Sequence, residues 1–270
     1  MEITNIEKNE LLGLVKNLYG YDFLGYSEAS IKRRIIRFCD IHKIENYFDL
    51  RHHLLNEPEL FSDFVLQVTV NITEMFRDPS FFIALKEKVL PSLATYPHCK
   101  IWHAGCSTGE EVYSMAILLR EQHLTRATIF ATDINAEVVG HAREATYSSK
   151  LMKAYTANYI QAQGSHAFSD YYTANYDMAI MNSPLKKNIV FSVHNLVSDG
   201  SFNEFNLIVC RNVLIYFNKD LQEHVIKLFY DSLSPLGYLA LGPKESLFFS
   251  KYRDKFEVVD KHEKIYRKIE

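Results

Sequence analysis

The residues with most chemical promise in this chain lie in Ile101-Trp-His-Ala-Gly-Cys-Ser-Thr-Gly-Glu-Glu111, an apolar run that meets two glycines and then two acids. Gly105 and Gly109 permit a tight turn and a close approach of ligand to backbone. A pyrophosphate-binding turn of the GxGxxG kind lacks its third glycine here, and the GK[ST] of a phosphate loop is absent. Gly105-Cys-Ser107-Thr-Gly109 does spell GxSxG, the nucleophile elbow of hydrolases, for which His262 is a nominal base. Against that stands Ala131-Thr-Asp133-Ile-Asn135, where an acid at the end of the next strand suits the hydroxyls of a ribose. A glycine loop followed by such an acid describes a nucleoside site. Plainer roles compete: Asp133 suits a helix N-cap, and Thr108-Gly-Glu-Glu111 fits a capping box.

Arg77 and Arg211 are the side chains able to hold a carboxylate in a planar fork, though an ion pair at a strand end is an equally ordinary fate for Arg211. The four cysteines show no CxxC pair and no histidines at zinc-ligand spacing, so no metal site and no disulfide framework is expected. With 30 Lys+Arg against 33 Asp+Glu, the chain lacks the broad positive field of a nucleic-acid binder. Its N-terminus has no signal-peptide pattern and no apolar run reaches the roughly 20 residues of a membrane span, so a cytoplasmic protein without membrane insertion is expected.

The elements that must position these residues change character near residue 90. Before it, Leu11, Leu12, Val15, then Ile31, Ile35, Phe38, then Phe61, Phe64, Val65 recur at helical spacing, predicting four or five short helices. Asp78 followed by Pro79 predicts the capped start of a connecting helix that Pro91 stops. After it, strand-like runs at 101–104, 127–132, 205–210 and 238–241 alternate with helical stretches at 110–121, 136–145 and 219–233, the rhythm of a parallel sheet wrapped by helices. Residues 256–259 and 264–269 read as a closing antiparallel hairpin. The Tyr- and Asn-rich stretch between 150 and 196 reads as a small β insertion. Within 30–38, Arg33, Arg34 and Arg37 fall opposite the apolar stripe, either as a solvated face or as a contact surface for an acidic helix.

Several ordered strings resemble the CheR family of chemoreceptor glutamate methyltransferases. Asn71-Ile-Thr73-Glu-Met-Phe-Arg77-Asp78 is similar to its NxTxFFRD, and Ala104-Gly-Cys-Ser-Thr-Gly-Glu-Glu-Val-Tyr-Ser114 to its AGCSTGEEPYS. Phe205-Asn-Leu-Ile-Val-Cys-Arg211-Asn212-Val-Leu-Ile-Tyr216-Phe217 is similar to FDLIxCRNVLIYF, and the weaker His194-Asn195-Leu196 and Gly242-Pro-Lys-Glu-Ser-Leu247 follow in order. Departures are Met75 for Phe, Val112 for Pro, Asn206 for Asp, and Pro243-Lys244 where His-Ser is commoner.

The resemblance implies an α/β fold: a Rossmann-like S-adenosylmethionine-dependent methyltransferase domain over 93–270 with the C-terminal hairpin. A small all-α domain over 1–75 and a linker helix over 76–92 precede it, and a β-subdomain is inserted near 160–193. It implies methyl transfer from S-adenosylmethionine to receptor glutamates, leaving S-adenosylhomocysteine, with no metal. Carried over by position, Asn71, Thr73, Arg77, Gly105, Glu110, Glu111, Asp133, Asn195, Leu196, Arg211 and Asn212 would form the cofactor site, with Arg77 and Tyr216 near the transferring methyl. Arg33, Arg34 and Arg37 would meet the cytoplasmic helices of a methyl-accepting chemoreceptor, and the β-subdomain could take a receptor C-terminal peptide as an added strand. A monomer is expected. The alternatives are a cofactor-binding signalling module without efficient catalysis, and an esterase built on Ser107.

Overall fold

A computed structural model describes residues 3–269. They form two compact units, one holding the residues up to Asn71 together with Ile215–Val225, the other Ile72–Leu214 together with the chain from Ile226 on.

The first unit contains α1 (Asn5–Tyr19), α2 (Glu28–His42), α3 (Tyr47–Asn56) and α4 (Pro58–Val68). Thr4 and Glu7 start α1 by capping each other: the Thr4 N–H donates to Glu7 Oε2 at 2.8 Å and the Glu7 N–H to Thr4 Oγ1 at 3.3 Å. Ile31, Ile35 and Phe38 share one face of α2 and are buried, with Phe38 meeting Phe64 of α4 edge-on at 5.3 Å. The sequence-based boundary at residue 75 missed the segment Ile215–Val225, which packs here through long-range contacts that no local pattern announces. The Ser27 N–H donates to Tyr216 O at 2.7 Å, the Asn218 N–H donates to Gly25 O at 2.9 Å, and Tyr26 bridges Phe217 in antiparallel fashion. A Cβ on Gly25 would come to 2.8 Å from Leu221 Cδ2, so any side chain there would push Leu221 aside.

The second unit opens with α5 (Pro79–Lys88) and α6 (Leu90–Leu93) and continues through β1 (Cys99–Ala104), α7 (Glu110–Glu121), β2 (Ala127–Asp133) and α8 (Ala136–Glu144). Then come β3 (Thr146–Ser148), α9 (Met152–Gln161), β4 (Tyr172–Asn175), β5 (Met178–Met181), α10 (Ser183–Lys186), β6 (Ile189–Val193) and β7 (Phe205–Cys210). The chain closes with α11 (Lys219–Ser232), counted to Val225 with the first unit, and with β8 (Leu233–Leu241), β9 (Phe256–Asp260) and β10 (Ile265–Lys268).

The strands β6-β2-β1-β7-β8-β10-β9 make one sheet. Its first five strands are parallel and its last three antiparallel neighbours, so the alternating half of the sequence folds as its rhythm predicts. Sheet order runs outward from β1 in both directions, which opens the ligand crevice at the carboxyl ends of β1 and β7. β1 and β7 are buried on both faces except at Lys100 and Asn206, as suits central parallel strands of mainly apolar sequence. Trp102 of β1 anchors one face, packing on Phe205 at 5.2 Å and Phe229 at 5.4 Å, while its indole N–H donates to Thr132 Oγ1 at 2.8 Å.

Three local expectations differ from the structure. The small sheet, ordered β3-β5-β4, starts at Thr146 rather than near 160, and residues 189–193 lie outside it. Those residues pair with β2 in the main sheet, Ile129 opposite Ile189 through Asp133 opposite Val193; a half-exposed edge strand carries the same pattern in either sheet. Pro91 sits in the first turn of α6 instead of simply stopping α5. Asp78 has φ +56 and makes no cap hydrogen bond to α5, because its carboxylate is used elsewhere.

Candidate active site

The glycine loop between β1 and α7 is tied to the end of β2. The Gly105 and Cys106 N–H groups both donate to the Thr132 carbonyl at 2.8 Å. Gly105 has φ +79, and a Cβ there would come to 2.4 Å from Val213 Cγ2, so the missing side chain makes room for the loop after β7 rather than for a ligand. Gly109 has φ +91 at the N-cap of α7, where a Cβ would meet Ala142 Cβ at 2.9 Å. The expected capping box does not form. Thr108 instead donates to Glu110 Oε2 at 2.6 Å, and Glu111 points its charge at another partner.

That partner is Arg211. Its Nη1 donates to Glu111 Oε2 and its Nη2 to Asp78 Oδ2, each at 2.6 Å. The guanidinium also lies over the Phe81 ring at 4.0 Å, and Nη1 reaches the Arg77 carbonyl at 3.4 Å. With its side chain 1% exposed, Arg211 is a buried hub between two acids. His103 Nδ1 lies 3.3 Å from the other Glu111 oxygen. Burial opposes ionisation of Glu111, but the Arg211 charge and the His103 contact overrule it and hold its pKa down at about 2. Glu110, one residue earlier, is pushed above its ordinary value by burial, with Thr108 and Tyr155 pulling the other way.

At the end of β2, Asp133 Oδ2 accepts from the Ser107 N–H at 2.9 Å and Oδ1 from the Asn135 N–H at 3.1 Å. Burial raises this carboxyl, against those peptide donors. The helix cap that competed for Asp133 belongs to Asn135, whose Oδ1 accepts from the Glu137 N–H at 2.8 Å. Beside it, His194 donates its N–H to the Asp133 carbonyl at 3.0 Å. The next residue, Asn195, folds an Asx turn by accepting from Val197 at 2.9 Å, and buries Leu196.

Within the second unit, then, Gly105, Glu110, Glu111, Asp133, Asn195, Leu196, Arg211 and Asn212 gather at or just after the carboxyl ends of β1, β2, β6 and β7. Thr73 and Arg77 precede α5 in the same unit, Arg77 donating to the Ile72 carbonyl at 3.1 Å. Asn71, Arg33, Arg34, Arg37 and Tyr216 belong to the first unit. There Arg33 and Arg37 are exposed, whereas Arg34 stacks over the Tyr216 ring at 4.8 Å and donates to Ser30 and to the Gln67 carbonyl. Burial lowers the Arg34 guanidinium below its ordinary value, with Tyr216 opposing. The sequence reading missed His103, Asp78 and Glu245 as site-building groups. The ion-pair role of Asp78 carries no local signal, since Arg211 lies 133 residues away.

Among the described residues no triad assembles on Ser107. Its Oγ is buried without a hydrogen-bond partner, and His262 is exposed and paired with Glu263 at 2.7 Å.

Residues 71–265 match the family model described as CheR methyltransferase, SAM binding domain, and residues 7–69 match CheR methyltransferase, all-alpha domain. The chain belongs to the CheR methyltransferase family. It is 47% identical over 266 residues to the Putative methyltransferase Cher3 of Pseudomonas putida, covering 98% of this chain and 97% of that protein. It is 32% identical over 250 residues to the Chemotaxis protein methyltransferase of Listeria monocytogenes, with 91% and 92% covered. A third relative, an uncharacterized 104.1 kDa protein of Rhodobacter capsulatus, is 26% identical over 281 residues, which is 99% of this chain but 28% of that one.

S-adenosylmethionine is the cofactor of this CheR methyltransferase, and the surroundings of Asp133 fit it. A carboxylate held at the crevice by peptide N–H groups, flanked by the buried and unpartnered Ser107 Oγ and Asn135 Nδ2, is the donor and acceptor set that a ribose requires.

Proposed function

We propose that the protein methylates side-chain carboxylates of glutamates in the cytoplasmic helices of chemoreceptors, forming methyl esters. The observation that carries the reading is the division of labour between two arginines of the second unit. Arg211 is engaged by Glu111 and Asp78 through both terminal nitrogens. Arg77, held through a carbonyl, has no carboxylate partner among the described residues. A guanidinium in that state suits an incoming carboxylate. Too strong a grip would blunt the nucleophile, so a single open arginine serves better than a closed hub.

When bound, the cofactor would supply an electrophilic methyl, to which a carboxylate oxygen would bond as the C–S bond broke, leaving an ester and a thioether. An ionised glutamate needs no general base for this, and the protein contributes alignment, worth on the order of 7–11 kcal/mol in favourable cases. Asp133 would hold the ribose, with Asn195 and Leu196 beside it; Arg77 would lie near the methyl. The exposed Arg33 and Arg37 of α2 would meet an acidic receptor helix. The open edge of β4, which pairs with β5 on its other side, would accept a receptor C-terminal peptide. Such a substrate places the activity in the cytoplasm, in keeping with the lack of any helix among the described residues long and apolar enough to cross a membrane.

The test is incubation with methyl-labelled S-adenosylmethionine and receptor-containing membranes, followed by alkali. Volatile label released from receptor protein is expected, and its loss in Arg77→Ala. Alkali-stable label, or cofactor binding with no transfer, overturns the proposal.

A further inference from the structure

The loop that follows β7 is held by a side chain that arrives from the far end of the sequence. Glu245, buried at 4% exposure, accepts three peptide N–H groups: Asn212 at 3.1 Å and Gly242 at 2.6 Å on Oε2, and Val213 at 2.9 Å on Oε1. Two of these donors belong to the loop that carries Arg211 and Asn212. Asn212 itself sits at φ +61, a left-handed conformation that a residue other than glycine adopts at some energetic cost. The third donor closes the turn on which Glu245 stands. A Cβ on Gly242 would come to 2.7 Å from Glu245 Oε2 and 2.8 Å from the Asn212 nitrogen, so the clamp is closed to the limit that glycine allows.

What the clamp positions is visible one contact further. Val213, gripped through its N–H, lies against Gly105, where a Cβ would be 2.4 Å from Val213 Cγ2. The glycine loop is in turn bound to Asp133 through Ser107. A continuous chain of contacts therefore runs from the Glu245 carboxylate through the Asn212–Val213 backbone to the glycine loop beside Asp133.

We propose that Glu245 is a positioning residue of the S-adenosylmethionine site, fixing the loop after β7 against Gly105 so that the cofactor crevice is formed before ligand arrives. The role differs from simple packing. A neutral glutamine of the same shape can keep one oxygen on the Asn212 and Gly242 donors, but must then turn its own NH₂ toward the Val213 N–H, donor against donor. Asn212 and Val213 lose their register while the hydrophobic core is untouched.

The experiment is titration calorimetry of purified full-length Glu245→Gln with S-adenosylhomocysteine, alongside steady-state kinetics. The expected result is a loss of at least tenfold in S-adenosylhomocysteine affinity, a matching rise in KM for S-adenosylmethionine, and an unchanged KM for the protein substrate. In a Val213→Ala background, which already removes the contact with Gly105, Glu245→Gln should weaken binding by less than threefold. If Glu245→Gln yields no folded protein, Gly242→Ala, which leaves the carboxylate in place but crowds it, is expected to lower affinity at least fivefold. An affinity within twofold of wild type in either folded variant, or equal losses from Glu245→Gln in the two backgrounds, overturns the proposal. Calorimetry needs no methyl acceptor, so the outcome stands apart from the identity of the protein substrate.

Discussion

On the β7 side of the glycine loop, Glu111 meets Arg211 and His103, and Arg211 reaches on to Asp78. On the β2 side, Asp133 is held by two peptide N–H groups and flanked by two buried polar atoms without partners. Both acids are largely shielded from water, yet their ionisation moves in opposite directions: Glu111 falls to about 2 while Asp133 rises. The difference lies in what each carboxylate faces. A neighbouring cation compensates for lost hydration within the protein, and the result is a closed structural hub. Peptide dipoles compensate less, and they leave lone pairs on the carboxylate for a ligand that brings its own hydroxyls. The β7 side frames the crevice, and the β2 side keeps the free acceptors that the proposed ribose contact needs.

The most severe way to break this comparison is Arg211→Met, which removes the one cation that two acids share. Stranding a buried charge of this kind costs about 3–5 kcal/mol, read as a lower urea midpoint for unfolding. The Arg211→Met/Glu111→Met double variant should lose less than the single one, since the more buried of the two stranded acids is gone and Asp78, with its side chain 40% exposed, keeps contact with water. If Arg211→Met unfolds like wild type and only weakens cofactor binding, the two sides have been assigned the wrong way round.

Asp133→Asn should do the reverse. Losing a charged acceptor for ribose hydroxyls is worth about 1.5–3 kcal/mol, so S-adenosylhomocysteine affinity should drop roughly 10- to 100-fold. Unfolding should shift by less than about 1 kcal/mol, because relief from burying a charge offsets the weakened peptide contact. Calorimetry and urea melts on the same preparation separate the two effects.

Acid titration sharpens the contrast. Glu111 ionises near 2 in the folded chain against an ordinary 4.5. Its contribution is therefore complete above about pH 4.5 and disappears as pH falls toward 2. Asp133 and Glu110 are raised by burial, so they oppose folding at neutral pH, and protonating them on the way down relieves that opposition. The stability gap between wild type and Glu111→Gln should accordingly shrink from pH 5 to pH 2. For Asp133→Asn, any stability gained at pH 7 should vanish as wild-type Asp133 takes up its proton. Parallel pH curves for the two variants would contradict the difference in their surroundings.

Much of this arrangement is legible in the sequence because it is local. The run 101–111 announces strand, turn and helix, and Asp133 falls where the second strand must end. Legibility stops where a side chain's partner is distant. Asp78 before Pro79 reads as a cap and Thr108 to Glu111 as a capping box, since both patterns lie within four residues; the Arg211 pairings that displace them span 133 and 100 residues. Glu245 stands in the sequence only within the weak string Gly242-Pro-Lys-Glu-Ser-Leu247, and its partners Asn212 and Val213 are brought to it by the fold. Residues 189–193 carry strand character but nothing that says which sheet they join.

The smallest expected effect concerns Ser107, the residue that most resembles a nucleophile in the sequence. A buried hydroxyl without a partner costs about 1–3 kcal/mol in mutational series, so Ser107→Ala should be neutral or stabilising by up to about 1 kcal/mol, in contrast to the loss expected for Arg211→Met. Its backbone must remain, because the Ser107 N–H holds Asp133 at 2.9 Å with φ at +49. Ser107→Pro, which deletes that donor and cannot adopt that φ, should therefore abolish S-adenosylhomocysteine binding where Ser107→Ala changes it by less than tenfold. Equal losses from the two substitutions would mean that the hydroxyl, rather than the peptide that presents Asp133, is what the β2 side supplies.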